Sequence, residues 1–133
     1  MNIKKLIDDL KFDVSTLDEQ MIRHPGLYAW YATKQAASER AAIMAKVRLD
    51  QAKAAARKEA RSETFGQKVT LEAINDEIMF DAQVISAFEN HASAKSELEF
   101  YKGACESLRA KKDLMINAAK SALQEKLSTP RVT

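Results

Sequence analysis

Residues 81–127 read DAQVISAFENHASAKSELEFYKGACESLRAKKDLMINAAKSALQEKL, and this stretch decides the fold. Val84, Ala87, His91, Ala94, Leu98, Tyr101, Cys105, Leu108, Lys112, Met115, Ala119 and Ala122 follow one another by alternating steps of three and four. Such a spacing keeps one row of side chains on one face of a helix and is the seam of a coiled coil. All but His91 and Lys112 are apolar or amphipathic, and no proline interrupts the run. The reading is a helix over about 81–127, started by Asp81 as its cap, with a seam that wants a partner helix. Val84, Ala87, Leu98, Tyr101, Cys105, Leu108 and Met115 are therefore expected to form an oligomerisation seam.

Upstream, Phe65-Gly66-Gln67-Lys68 is the loop candidate, because glycine supplies backbone freedom that other residues lack. Thr70 is placed to cap a short helix carrying Leu71, Ile74 and Ile78. From Pro25 to about Glu63 the helical pattern is unbroken; at 1.5 Å per residue that helix would run to roughly 55–60 Å, more than a small compact domain hides. Its start holds Leu27, Tyr28, Trp30 and Tyr31, and its remainder is dominated by alanine, whose small side chain permits close helix approach but buries little area. His24-Pro25-Gly26 should end whatever precedes, since the residue before proline is biased away from helical geometry. Ahead of it lie two short helices, one with Ile3, Leu6, Ile7 and Leu10, the other opened by a Thr16/Glu19 capping box. The expected fold is all-α: long helices at about 25–63 and 81–127, short amino-terminal and connecting helices, and burial completed by self-association. Residues 1–127 are read as one domain and 128–133 as a flexible tail.

Composition agrees with helix, since the 133 residues include only three glycines and two prolines. The net charge of +2 conceals a strong asymmetry. Between 46 and 68, Lys46, Arg48, Lys53, Arg57, Lys58, Arg61 and Lys68 face three carboxylates, a balance of +4, whereas 69–99 carries seven carboxylates against Lys95, a balance of −6. The single cysteine excludes an intrachain disulfide, and its place in the seam reads as a buried, inert thiol. No apolar run approaches the roughly 20 residues that span a bilayer, and the amino terminus MNIKKLIDDL has acids where a signal peptide continues its apolar stretch. A cytoplasmic protein without membrane association is expected.

Nothing in the sequence assembles a catalytic centre. There is no glycine-rich phosphate loop, no HExxH, no paired cysteines and no serine elbow, and His24 and His91 stand far apart. No enzyme, metal or cofactor is expected. The basic stretch is the feature with a ligand chemistry. Lys53, Arg57 and Arg61 recur at steps of four, with Lys46 one heptad before Lys53, so they line one helix face. Such a row is either a solvated face or a phosphate-binding one that acts through Coulomb attraction and counterion release. Lys46, Lys53, Arg57, Lys58, Arg61 and Lys68 are the candidate polyanion contacts. Tyr28, Trp30 and Tyr31 fit a core that pins the short helices better than a base-stacking platform, and Phe65, in the loop beside the basic stretch, is the better stacking candidate, though a weak one.

In order of features, the chain resembles the UvsY-type recombination mediators of T-even-like tailed phages. The resemblance rests on the amphipathic amino terminus, the aromatic helix start at Pro25, Leu27, Tyr28, Trp30 and Tyr31, and the alanine- and cation-rich stretch from Lys53 to Gly66. Thr70 with Ile74, and the Lys-Lys-Asp-Leu element at Lys111 to Leu114, complete it. It implies a ring-like homo-oligomer in the host cytoplasm, acting in DNA recombination and repair. Such a protein binds single-stranded DNA and helps load a RecA-like recombinase while single-strand-binding protein is displaced. The family's DNA contacts map onto Lys53, Arg57, Lys58 and Arg61; a further basic position of the family is Ala60 here. The alternative is a structural or chaperone-like coiled-coil oligomer without nucleic-acid binding.

Overall fold

The computed structural model describes residues 1–63 and 68–128. The expected loop at Phe65 and Gly66 and most of the expected tail lie outside them. The described residues are helical almost throughout: α1 (Ile3–Leu10), a 3-10 turn (Val14–Thr16), α2 (Leu17–Glu63), α3 (Leu71–Ile78) and α4 (Ala82–Ser128). The two long helices of the expected all-α fold are present and pack on each other.

Caps set the shorter boundaries. Asn2 Oδ1 accepts from the Lys5 amide at 3.0 Å at the start of α1. Thr70 Oγ1 accepts from the Ala73 amide at 3.2 Å, and Asp81 Oδ1 accepts from the Gln83 and Val84 amides at 2.9 and 3.1 Å, as the sequence suggests for both positions. The Thr16/Glu19 capping box does not form. Asp13 Oδ1 takes the Ser15 amide at 3.1 Å, the Thr16 hydroxyl donates to the Asp13 carbonyl at 3.3 Å, and the 3-10 turn feeds straight into α2.

The expected break at Pro25 is also absent: Pro25 lies inside α2. A proline there removes one helical hydrogen bond and crowds the preceding turn, a cost of about 3 kcal/mol that something must offset. Leu17, His24 and Tyr31, seven residues apart, are all buried, so tertiary burial on both sides of the proline holds the chain helical through it.

In place of one core the chain forms two compact units, one of Met1–Gln35 with the chain from Phe100 onward, the other of Ala36–Glu99. In the first, Tyr31, Tyr101, Ala104, Cys105 and Leu108 are buried together, with Leu6, Leu10, Leu27 and Tyr28 against them. In the second, Leu49, Ala56 and Ala60 of α2 meet Ile74 and Ile78 of α3 and Val84 of α4, with Ala52 and Ala87 alongside. The seam expected to join subunits is thus filled from within the chain at Val84, Ala87, Tyr101, Cys105 and Leu108. Met115 is also buried, and Leu98 half-buried. The seam departs from the expected register at one place, where Lys111 is buried and Lys112 exposed, and resumes at Met115.

The physical reason is that α2 carries a matching row. Ser38, Ala42, Ala45, Leu49, Ala56 and Ala60 are buried at helical spacing, and alanines allow the close approach.

Candidate nucleic-acid interface

The predicted cations separate into distinct surroundings. Lys46 is tied to Asp50 one turn on, Nζ to Oδ1 at 3.2 Å, so part of its charge is already answered. Lys53 and Arg57 are half-buried, and the Arg57 Nε donates to Asn75 Oδ1 on α3 at 2.9 Å, which fixes the guanidinium against the helix pair. Lys58, Arg61 and Lys68 are exposed. At about 100° per residue Lys58 is turned away from the Lys53, Arg57 and Arg61 row and stands on an adjoining one.

Beside Lys53 and Arg57 lies a feature the sequence reading missed. A cleft of about 410 Å³ is lined by Ile78, Met79, Val84, Ile85 and Phe88 together with Lys53, Arg57, Asn75 and Glu89. Phe88 is 60% exposed and Met79 69%, so both hold apolar surface that an occupant of the cleft would bury. Ile85 and Phe88 lie three residues apart on α4, off the seam, with Met79 in the turn before the helix; this exposed apolar group was the available signal. The acidic Glu72, Asp76 and Glu77 are exposed on α3, while Asp81 is engaged in capping α4.

The first unit holds a polar cluster of a different kind. Asp9 Oδ2 accepts from Lys5 Nζ and from the Tyr31 hydroxyl, both at 2.7 Å, and the buried Lys111 donates from Nζ to the Asp9 carbonyl at 2.6 Å. These bonds fasten α1 to both long helices. Tyr31 is core, as the aromatic spacing predicts, but Trp30 is 42% exposed, with Lys5 Nζ 4.2 Å and Lys34 Nζ 5.3 Å from its ring. Tyr28 takes Arg109 on its hydroxyl at 2.8 Å. Burial raises the Asp9 carboxyl, but the bonds from Lys5 and Tyr31 and the field of Lys111 outweigh it, leaving the group below its ordinary range. Cys105 is buried and its thiol is pushed up by that burial against the weaker pull of Arg109, as an inert thiol requires.

His24 is buried, its Nδ1 has no hydrogen-bond partner, and burial together with Lys111 and Lys112 holds its pKa below 6.5. Between its folded value and about 6.5 the unfolded chain binds a proton that the folded chain refuses. Stability from this source is full above about pH 6.5 and declines as pH falls below it; the Asp9 contribution is lost only further down, below about pH 4. Urea midpoints at pH 7.5 and pH 5 should therefore drop with acidification, and His24→Leu should shrink the drop. An equal drop in the variant would assign the acid sensitivity elsewhere.

Among the described residues no group of three or more His, Cys, Asp or Glu is placed to hold a metal ion, and no helix is long and apolar enough to cross a membrane. Comparison of the chain with protein-family models, with characterised proteins and with solved structures finds no match.

Proposed function

We propose that the protein is a non-enzymatic recombination mediator of the UvsY type, which binds single-stranded DNA without sequence preference. In this reading it helps load a RecA-like recombinase as single-strand-binding protein is displaced. The observation that carries the reading is the basic surface of α2, where Lys53 and Arg57 border an apolar cleft and Lys58 stands exposed on the adjoining row. Cations in this arrangement hold phosphates through released counterions, and apolar side chains beside them suit unpaired bases better than a closed duplex. The order of sequence features shared with the UvsY-type mediators points the same way.

Self-association belongs to the same reading. Because the α4 seam is filled intramolecularly, contact with other copies falls to another surface. Ile43, Met44 and Val47 recur at three and four residues on α2 and are 59%, 47% and 42% exposed, an unpartnered apolar row of the kind that marks interfaces. Repetition of the basic surface by a ring-like oligomer multiplies affinity along one strand. A strand held this way gives up its condensed ions, and the resident single-strand-binding protein loses part of its hold.

The test is fluorescence anisotropy of a labelled oligo(dT), and of a mixed-sequence strand, across a salt series, with mass by light scattering in the same solutions. The expected result is an oligomer that binds both strands alike, with log affinity falling against log salt by about 0.7 per phosphate engaged. An oligomer that ignores both strands at moderate salt is the structural or chaperone-like protein instead.

A further inference from the structure

We propose that the cleft beside Lys53 and Arg57 is a nucleotide subsite, in which one base of a single strand stacks on Phe88 while Arg57 and Lys53 hold an adjacent phosphate. This rests on the single-stranded DNA reading and assigns it particular side chains.

Three observations converge on it. The cleft holds about 410 Å³ and its walls are Ile78, Met79, Val84, Ile85 and Phe88, room and chemistry for one planar, apolar-faced group. Phe88 presents 60% of its surface to solvent, so a ring face is available without any rearrangement of the core. Arg57 is oriented rather than free: Asn75 accepts from its Nε at 2.9 Å, which leaves the two terminal nitrogens as a planar fork suited to two phosphate oxygens. Glu89 lines the same cleft, and its carboxylate repels phosphate, so the sugar-phosphate is directed to Lys53 and Arg57 on α2 and the base to Phe88 on α4. A nucleotide, anionic at one end and aromatic at the other, complements both the two cations and the apolar side chains that line the cleft.

Phe88→Ala removes the ring, and Phe88→Trp in a Trp30→Phe background replaces it with a reporter. Loss of one aromatic stacking partner in Phe88→Ala should weaken oligo(dT) binding by about tenfold or more. Binding of an oligonucleotide of abasic sites, which keeps the phosphates and lacks the bases, should be the same for Phe88→Ala and wild type. In the Trp reporter, emission should be quenched by oligo(dT) and not by the abasic strand. Unchanged oligo(dT) affinity in Phe88→Ala, or an unquenched reporter on a bound strand, overturns the subsite while DNA binding itself stands. A fall in oligomer mass in Phe88→Ala that accounts for the lost affinity overturns it in favour of a second copy of the chain seated in the cleft. A wild-type protein that binds neither strand overturns the subsite and the proposed function together.

Discussion

Lys53→Glu/Arg57→Glu/Lys58→Glu should lose at least about two orders of magnitude in affinity for single-stranded DNA near 0.1 M salt, with helicity unchanged. The figure follows from counterion release. Each phosphate engaged on a single strand contributes about 0.7 to the slope of log affinity on log salt, so lowering salt from about 1 M to 0.1 M gains about 0.7 log unit per contact. Three contacts removed forfeit about two log units, and three carboxylates in their place add repulsion. The salt slope should fall by about two in parallel. Folding should survive, because Lys58 is exposed and Lys53 and Arg57 are only half-buried at the edge of the second unit. Lys46→Glu serves as the internal comparison: its ammonium already faces Asp50 at 3.2 Å, so this change should weaken binding less than Lys58→Glu alone. Equal losses at both positions would mean that net charge, not the placement of the cations, governs binding; no loss in the triple variant would remove α2 from the interface.

Local rules made part of this legible from the residues. Thr70 and Asp81 act within three residues of themselves, and both cap where a reading of neighbours places them. The α4 seam was legible because steps of three and four persist over many turns. Its partner was not, because α2 offers alanine at most of the matching positions and carries Pro25 in its path; an alanine row has a weak hydrophobic signature, and a proline reads as a stop until burial of Leu17, His24 and Tyr31 is known. From the residues alone the seam therefore reads as a face for another subunit, while in the structure the same chain buries it. The cluster of Asp9, Tyr31 and Lys111 lies beyond any local rule, since its bonds join residues 22 and 102 positions apart. The cleft at Phe88 depends on α3 and α4 meeting beside α2, which no single helical pattern encodes. The cations of the candidate interface were all nameable in advance, but their division into paired, oriented and exposed groups was not.

The intramolecular seam makes its own prediction at Leu108, which is fully buried with Tyr31, Tyr101, Ala104 and Cys105. Leu108→Ala should lower unfolding free energy by about 3–5 kcal/mol, the loss of transfer free energy plus the cavity left behind. The upper part of that range is expected because the surroundings cannot collapse easily. Tyr31 is held through its hydroxyl to Asp9, and Lys111, one turn along α4, is held to the Asp9 carbonyl, so two neighbours of the vacated volume are anchored by polar bonds. Against a total stability of about 5–15 kcal/mol, such a loss moves a urea midpoint by a large fraction of its value. Leu114→Ala, at a position 58% exposed on the same helix, should cost within about 0.5 kcal/mol. The decisive measurement is the difference between Leu108→Ala and wild type at two well-separated protein concentrations. A seam filled by the chain's own α2 gives a difference independent of concentration, because the cavity travels with each chain. A difference that shrinks or grows with concentration would return Leu108 to an interface between subunits, and with it the idea that α4 pairs with a neighbouring copy.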